Sequence, residues 1–271
     1  YRPSFLFYLV CTPCTPMFGD RFDFPKSLYA VHDCLNYFEK RKPNALIIDF
    51  FAGSGTTMHA VNLLNAEDGG HRRCIMVTNN EVSADEAKTL KDKGYQPGDA
   101  EWEKLGIAHY VTWPRMFCSI KGQDVNGAPL KGDYLGSEPP MHMVDGFKAN
   151  AAFFKLSFLD STAVSLGMRF SEMLPTLWLK AGAKGKCPEL SSEQIPDMLI
   201  LPENKFAVLI NENAFASFVE KLAEHPEVQT VFLATDYEVN YQSMVKNLNV
   251  TEAYQLYRDY LDHFRLNRGR N

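Results

Sequence analysis

The chain has 271 residues and a mass of 30.7 kDa, a length that points to about two domains. Its 45% hydrophobic and 23% charged residues exclude long disorder, and neither a bilayer-length apolar run nor a secretory signal pattern occurs, so no membrane is expected. The 6 cysteines are too sparse for a disulfide scaffold and fit a reducing cytoplasm, while a net charge of −5 argues against a broad basic surface for nucleic acid and leaves any DNA contact to a local patch or a missing segment.

Tyr1–Phe18 is a Pro- and Cys-containing apolar stretch without period, and with Tyr rather than Met in front it reads as the interior of a longer chain. Cys11-Thr-Pro-Cys14 has no second pair, so it reads as two unrelated thiols. Leu28, Val31, Leu35 and Phe38 recur at helical spacing within Pro25–Lys40. Ala45–Ile48 is a short, fully apolar strand of the kind covered by helices on both faces. Asp49-Phe-Phe-Ala-Gly-Ser-Gly-Thr-Thr57 then opens a helix through Met58, Val61, Leu63 and Leu64, and Cys74–Thr78 is a second buried strand. Together they make a strand–helix–strand unit, for which a right-handed crossover is the rule.

Ser83–Lys93 follows as a helix with Asp85 and Glu86 in its first turn, then a short helix or loop over Trp102–Gly106 and the segment Pro114–Lys121. The Gly- and Pro-rich stretch from Gly122 to Gly146 reads as a hairpin turn plus linker, which divides the chain into domains at 1–145 and 146–271. Beyond it come a strand at Phe153–Phe158, a helix at Thr162–Lys180 interrupted at Pro175, and a hairpin of Met198–Leu201 with Phe206–Ile210. A helix at Asn213–Glu224, a strand at Val231–Ala234, a helix at Glu238–Leu248, a strand at Ala253–Tyr257 and a helix at Tyr260–Leu266 complete a second α/β pattern.

The chemistry-bearing segment is Asp49–Thr57. A glycine-rich turn between a buried strand and a helix brings a ligand to the backbone and to free N–H groups. A P-loop needs a lysine after its last glycine, but Thr56 and Thr57 follow Gly55. A dinucleotide fingerprint needs a third small residue where Met58 stands, which also disfavours a dehydrogenase. Neither a metal-type His pair nor an EF-hand loop is present, and His59 reads as a packing or surface residue.

The remaining pattern, Asp-x-Phe-x-Gly-Ser-Gly-Thr-Thr, resembles the S-adenosylmethionine motif of DNA adenine N6 methyltransferases of the permuted class. Phe22-Asp-Phe-Pro-Lys-Ser27, Leu46–Ala60 and Asn65-Ala-Glu-Asp-Gly-Gly70 together resemble the modification subunits of type III restriction systems, as does the ending Leu256–Leu266. The resemblance implies a partial Rossmann-like methyltransferase sheet followed by a smaller α/β domain. It further implies S-adenosylmethionine as cofactor, held by Lys26, Ser27, Asp49, Phe50, Phe51, Gly53, Ser54, Gly55, Thr56, Thr57 and Glu81. In that reading Asp49 accepts from the cofactor's ammonium and Phe51 packs beside the sulfonium. Glu81 accepts the ribose hydroxyls, and Lys26 and Ser27 meet the carboxylate. Plain structural readings stand beside these: Asp49 as a cap of its turn, Glu81 as a helix-entry acid and Lys26 as a solvated lysine.

The family's catalytic Asp-Pro-Pro-Tyr string is absent. Glu138-Pro-Pro-Met141 is the nearest sequence, with Glu where the family has Asp or Asn and Met where it has the aromatic ring. In the permuted class that string precedes the glycine motif, so no catalytic residue is assigned here and the chain alone is expected to be inactive. The expected partners are double-stranded DNA, mainly through segments not in this chain, and a restriction subunit or a second copy. The alternative is a non-catalytic assembly module of a restriction-modification complex.

Overall fold

The central feature of the first half is a parallel strand pair joined by a helix. This computed structural model describes residues 17, 25–137, 139–156, 170–190 and 195–256. Cys11, Cys14, Phe22 and the helix expected over Tyr260–Leu266 lie outside the described residues. The chain divides into two compact units, Tyr1–Phe153 and Phe154–Asn271.

In the first unit, helix α1 (Leu28–Glu39) starts at Ser27, whose hydroxyl accepts from the Ala30 N–H at 3.4 Å. Strand β1 (Leu46–Asp49) leads through the glycine-rich turn into α2 (Thr56–Asp68), which stops at Gly69 in the left-handed region with φ 69°. Strand β2 (Arg73–Met76) returns parallel to β1, pairing Leu46 with Arg73 and Asp49 with Met76. The fully buried Arg72 guanidinium locks the far end. It donates to the Glu39 and Lys40 carbonyls at the end of α1 and to the Asp68 carboxylate at 2.8 Å, which holds Asp68 below the usual carboxylate range. A cation at two helix C-termini is well placed for their negative ends.

Among the described residues the strand pair is covered on one face only, where helices on both faces were expected. Ile47, Asp49, Cys74 and Met76 are half-buried, whereas Leu46, Ile48, Ile75 and Val77 are 44–51% exposed. A continuous apolar run carries no alternation, so it could not announce that one face lacks a covering layer.

Helix α3 (Ala84–Asp92) opens with a reciprocal cap, in which the Ser83 hydroxyl accepts from the Glu86 N–H and donates to its carboxylate at 2.6 Å. A short α4 (Ala100–Glu103) and a π-helical segment (Ala108–Thr112) run into α5 (Trp113–Lys121). The stretch from Gly122 to Gly146 is not a linker. Gly122 and Gly146, at φ 67° and 63°, lie so close that a Cβ on either would collide with the backbone at Val144 or Ile120. Strands β3 (Asp133–Tyr134) and β4 (Met141–His142) pair antiparallel between them. Leu130, Tyr134, Met143 and Phe147 join Leu28, Ala60 and Leu63 in one core. Turn residues here serve close packing, which composition alone does not separate from a flexible tether.

In the second unit, β5 (Met198–Leu201) and β6 (Phe206–Leu209) form the expected antiparallel hairpin, and β7 (Thr230–Leu233) and β8 (Glu252–Gln255) add in parallel in the order β5-β6-β7-β8. Alternate residues feed two cores. Phe206, Val208 and Phe232 pack with α6 (Phe170–Lys180), while Ala207, Leu209, Val231 and Leu233 pack with α7 (Phe215–Ala223) and α8 (Glu238–Val245). The sheet is thus sandwiched between helices. Helix α6 runs through Pro175 instead of being interrupted there, since proline removes a single donor, the one that would meet the Ser171 carbonyl. Residues 153–156 are irregular and not the start of a strand, and 157 and 158 lie outside the described residues.

Candidate functional site

The glycine-rich turn is built by three local devices. Gly53 and Gly55 take φ of 51° and 77°, a region that L side chains rarely enter, so the chain can reverse between β1 and α2. Asp49 closes the turn, its Oδ1 accepting from the Phe51 N–H at 3.0 Å and its Oδ2 from the Thr57 hydroxyl at 2.6 Å. The turn then ties to the next strand, with Ala52 N–H donating to the Val77 carbonyl and Val77 N–H donating to that of Asp49.

The two glycines do different work. A Cβ on Gly55 would sit 3.1 Å from Thr112 Cγ2 and 3.2 Å from Met116 Cε, so this glycine permits close packing on α5. A Cβ on Gly53 would meet only the Phe51 carbonyl at 3.9 Å and otherwise enters open space. Gly55 is the N-cap of α2 without a side-chain cap, which leaves the N–H groups of the first helical turn available. Thr56 bonds with its hydroxyl to the Lys26 carbonyl at 3.4 Å, so the start of α1 lies beside the turn. Two helix N-termini therefore converge here, next to the exposed Lys26 side chain.

Phe50 and Phe51 are 66% and 86% exposed, two aromatic rings in solvent at the mouth of the turn. Ser54 and Thr56 are buried, and Thr57 is half-buried against Asp49. Glu81 is exposed, beyond the end of β2; because β1 and β2 are parallel, it follows the same sheet end as Asp49. Asn79 donates to its carboxylate at 3.4 Å. Ser27 is occupied as the cap of α1.

Sequence reasoning missed the layer beneath the turn. Thr112 donates its hydroxyl to the Gly53 carbonyl at 2.5 Å. Arg115, fully buried, donates through Nη1 to Thr56 Oγ1 at 2.8 Å and Ser54 Oγ at 3.1 Å, and through Nε to His59 Nδ1 at 3.1 Å. Since arginine only donates, His59 carries its proton on Nε2 and donates to the Tyr134 hydroxyl at 3.0 Å. Burial, and then the Arg115 charge, push His59 well below the usual histidine range, so it is neutral. The residue is a buried network member, not a surface group.

Among the described residues, no group of three His, Cys, Asp or Glu side chains is placed to hold a metal, and no helix is long and apolar enough to cross a membrane.

No family model matches the chain. Over 67 residues it is 49% identical to the type II methyltransferase M.KpnI of Klebsiella pneumoniae, a match covering 24% of this chain and 16% of that protein. The Mod subunit of the type III restriction-modification enzyme StyLTI of Salmonella typhimurium is 44% identical over 63 residues, 23% of this chain and 9% of the relative. The Mod subunit of the type III enzyme EcoPI of Escherichia phage P1 is 33% identical over 97 residues, 35% and 15% of the two chains. The matches thus span less than a fifth of each relative's length. Over the residues matched, the chain is Mod-like: it is homologous to a type II methyltransferase and to the Mod subunits of type III restriction-modification enzymes.

Proposed function

We propose that the turn Asp49–Thr57, with Lys26, Ser27 and Glu81, is the S-adenosylmethionine site of a DNA methyltransferase that acts on adenine N6 within a restriction-modification system. The observation that carries this reading is Gly53: its left-handed backbone faces open space beside two helix N-termini, the geometry a ligand needs to approach the main chain. Each helix end favours an anionic group by about 0.3–1 kcal/mol, and Lys26 adds a full charge for the cofactor's carboxylate. Asp49 is rigidly held and retains carboxylate lone pairs for an ammonium. Phe50 and Phe51 offer apolar faces, and Glu81 offers acceptors for ribose hydroxyls. When bound, the cofactor supplies an electrophilic methyl group, and these residues hold and orient it.

The exposed face of β1 and β2 supports a Rossmann-like sheet completed by further elements, among them the catalytic motif that this sequence lacks. In this reading the chain binds the cofactor but by itself transfers no methyl group, and the helix-flanked sheet of residues 154–271 is a second domain. Double-stranded DNA and a restriction subunit or second copy are the proposed partners, and the cytoplasm the proposed setting. The same uncovered face also favours the alternative of a non-catalytic assembly module. A radiolabelled methyl-transfer assay on duplex DNA, with and without an added polypeptide bearing an Asp-Pro-Pro-Tyr-like motif, tests both. Transfer only with the added polypeptide is expected; no transfer in either case together with no cofactor binding by the chain supports the module, and robust transfer by the chain alone refutes the division of labour.

A further inference from the structure

We infer that Arg115 is a positioning residue for the cofactor turn, an inference that rests on the S-adenosylmethionine reading of that turn. The guanidinium is fully buried against the segment, whereas a Cβ on Gly53 would enter nearly open space. Its Nη1 spans Gly55, bonding Ser54 Oγ on one side at 3.1 Å and Thr56 Oγ1 on the other at 2.8 Å, with the Ser54 carbonyl at 3.4 Å. Thr56 passes the connection on to the Lys26 carbonyl at 3.4 Å. One side chain therefore ties together the turn and the start of α1, the two segments that bear the carboxylate-binding groups.

The rest of the same helical face completes the grip. Thr112, one turn before Arg115, donates to the Gly53 carbonyl, and Met116 packs beneath Gly55. Thr112 ends a π-helical segment, a rare geometry that re-aims side chains by inserting an extra residue into a helical turn. On its other edge Arg115 is oriented by neutral His59, which Tyr134 holds in turn. Two glycines in a row of nine residues make a backbone with many alternatives, and a ligand that meets ordered N–H groups loses affinity if it must select one of them. Arg115 removes those alternatives before the ligand arrives. It touches no substrate in this account.

The test compares Arg115→Met, Arg115→Lys and, as a control that loosens the same core without touching the turn, Leu130→Ala. Two readouts are taken on the full chain: amide hydrogen exchange at Gly55 and His59 without ligand, and S-adenosylmethionine affinity by calorimetry. Arg115→Met should lose protection at both amides and weaken affinity by about tenfold or more, the value of a charged hydrogen bond. Arg115→Lys should recover part of both effects, because its ammonium reaches the Ser54 and Thr56 hydroxyls but cannot also serve His59. Leu130→Ala should lower the melting temperature and change neither readout. If Arg115→Met does not fold, Thr56→Val removes the same bond from the turn's side and carries the comparison with Arg115→Lys. Unchanged turn exchange and affinity in the arginine variants, or an equal loss of affinity in Leu130→Ala, overturns the inference and leaves the cofactor site standing. Absence of binding by the unsubstituted chain, with exchange still dependent on Arg115, overturns the cofactor reading and with it the role assigned here.

Discussion

Asp49 and Thr57 hold each other across the glycine-rich turn, the threonine hydroxyl donating to the carboxylate at 2.6 Å while the same carboxylate accepts the Phe51 N–H. The aspartate thus shapes the turn, and under the proposed function the same carboxylate would also meet the cofactor's ammonium. Asp49→Asn keeps the size and one acceptor but loses the charge. It should cost less than about 1.5 kcal/mol of stability and weaken S-adenosylmethionine binding by about tenfold. Parallel thermal melts and titrations check the two numbers.

Gly53→Ala and Gly55→Ala should separate binding from packing. At Gly55 the added methyl meets Thr112 and Met116 in a left-handed backbone, and the combined strain should destabilise by about 2–3 kcal/mol. At Gly53 the backbone strain alone remains, about 1–2 kcal/mol, but the methyl projects into the approach path. Urea unfolding should rank Gly55→Ala as the less stable, whereas calorimetry should rank Gly53→Ala as a clear loss of cofactor affinity.

His32 and His59 should pull the stability of the first unit in opposite directions as pH changes. His32 lies 2.8 Å from Glu67; burial opposes its charge, but the Glu67 and Asp33 carboxylates outweigh burial and raise it above the usual histidine range. Its contribution is therefore complete below about pH 6.5 and is lost as pH rises through the raised folded value. His59, buried and held neutral, behaves in reverse, and its site loses stability as pH falls below about 6.5 because only the unfolded chain takes up the proton. The stability difference between the native chain and His32→Gln should shrink as pH rises above about 6.5. Chemical denaturation at several pH values reads it directly; a difference that grows with pH would falsify the assignment.

The stretch from Gly122 to Gly146 should resist proteolysis, because Leu130, Tyr134 and Met143 anchor it in the core. Gly146→Ala would drive a Cβ into the Ile120 carbonyl and should make this stretch the first point of cleavage. The helix-covered sheet of residues 154–271 should unfold as its own unit, with Phe232→Ala costing about 3–5 kcal/mol there. Limited proteolysis followed by mass spectrometry locates both effects.

What was legible in the sequence was mostly local. The strand–helix–strand unit over Leu46–Met76 showed itself in two short apolar runs separated by a glycine turn and a helical period, all within about thirty residues. The β5–β6 hairpin likewise followed from its turn residues. Arg115 was not legible, because it stands 59 residues from Thr56 and an arginine in a helix signals nothing until the fold brings it beneath the turn. The uncovered face of β1 and β2 was hidden for a related reason: burial depends on what packs against a strand, and an apolar run reads alike whether that layer is present or not.

A cofactor site at the glycine-rich turn stands or falls on one calorimetric titration of the chain with S-adenosylmethionine, repeated on Gly53→Val. Saturable one-site heat is expected for the native chain and loss of that heat in the variant, whose branched side chain enters the open space beside Phe51 while circular dichroism shows the fold retained. No saturable heat for the native chain, or equal affinity for both proteins, would contradict it.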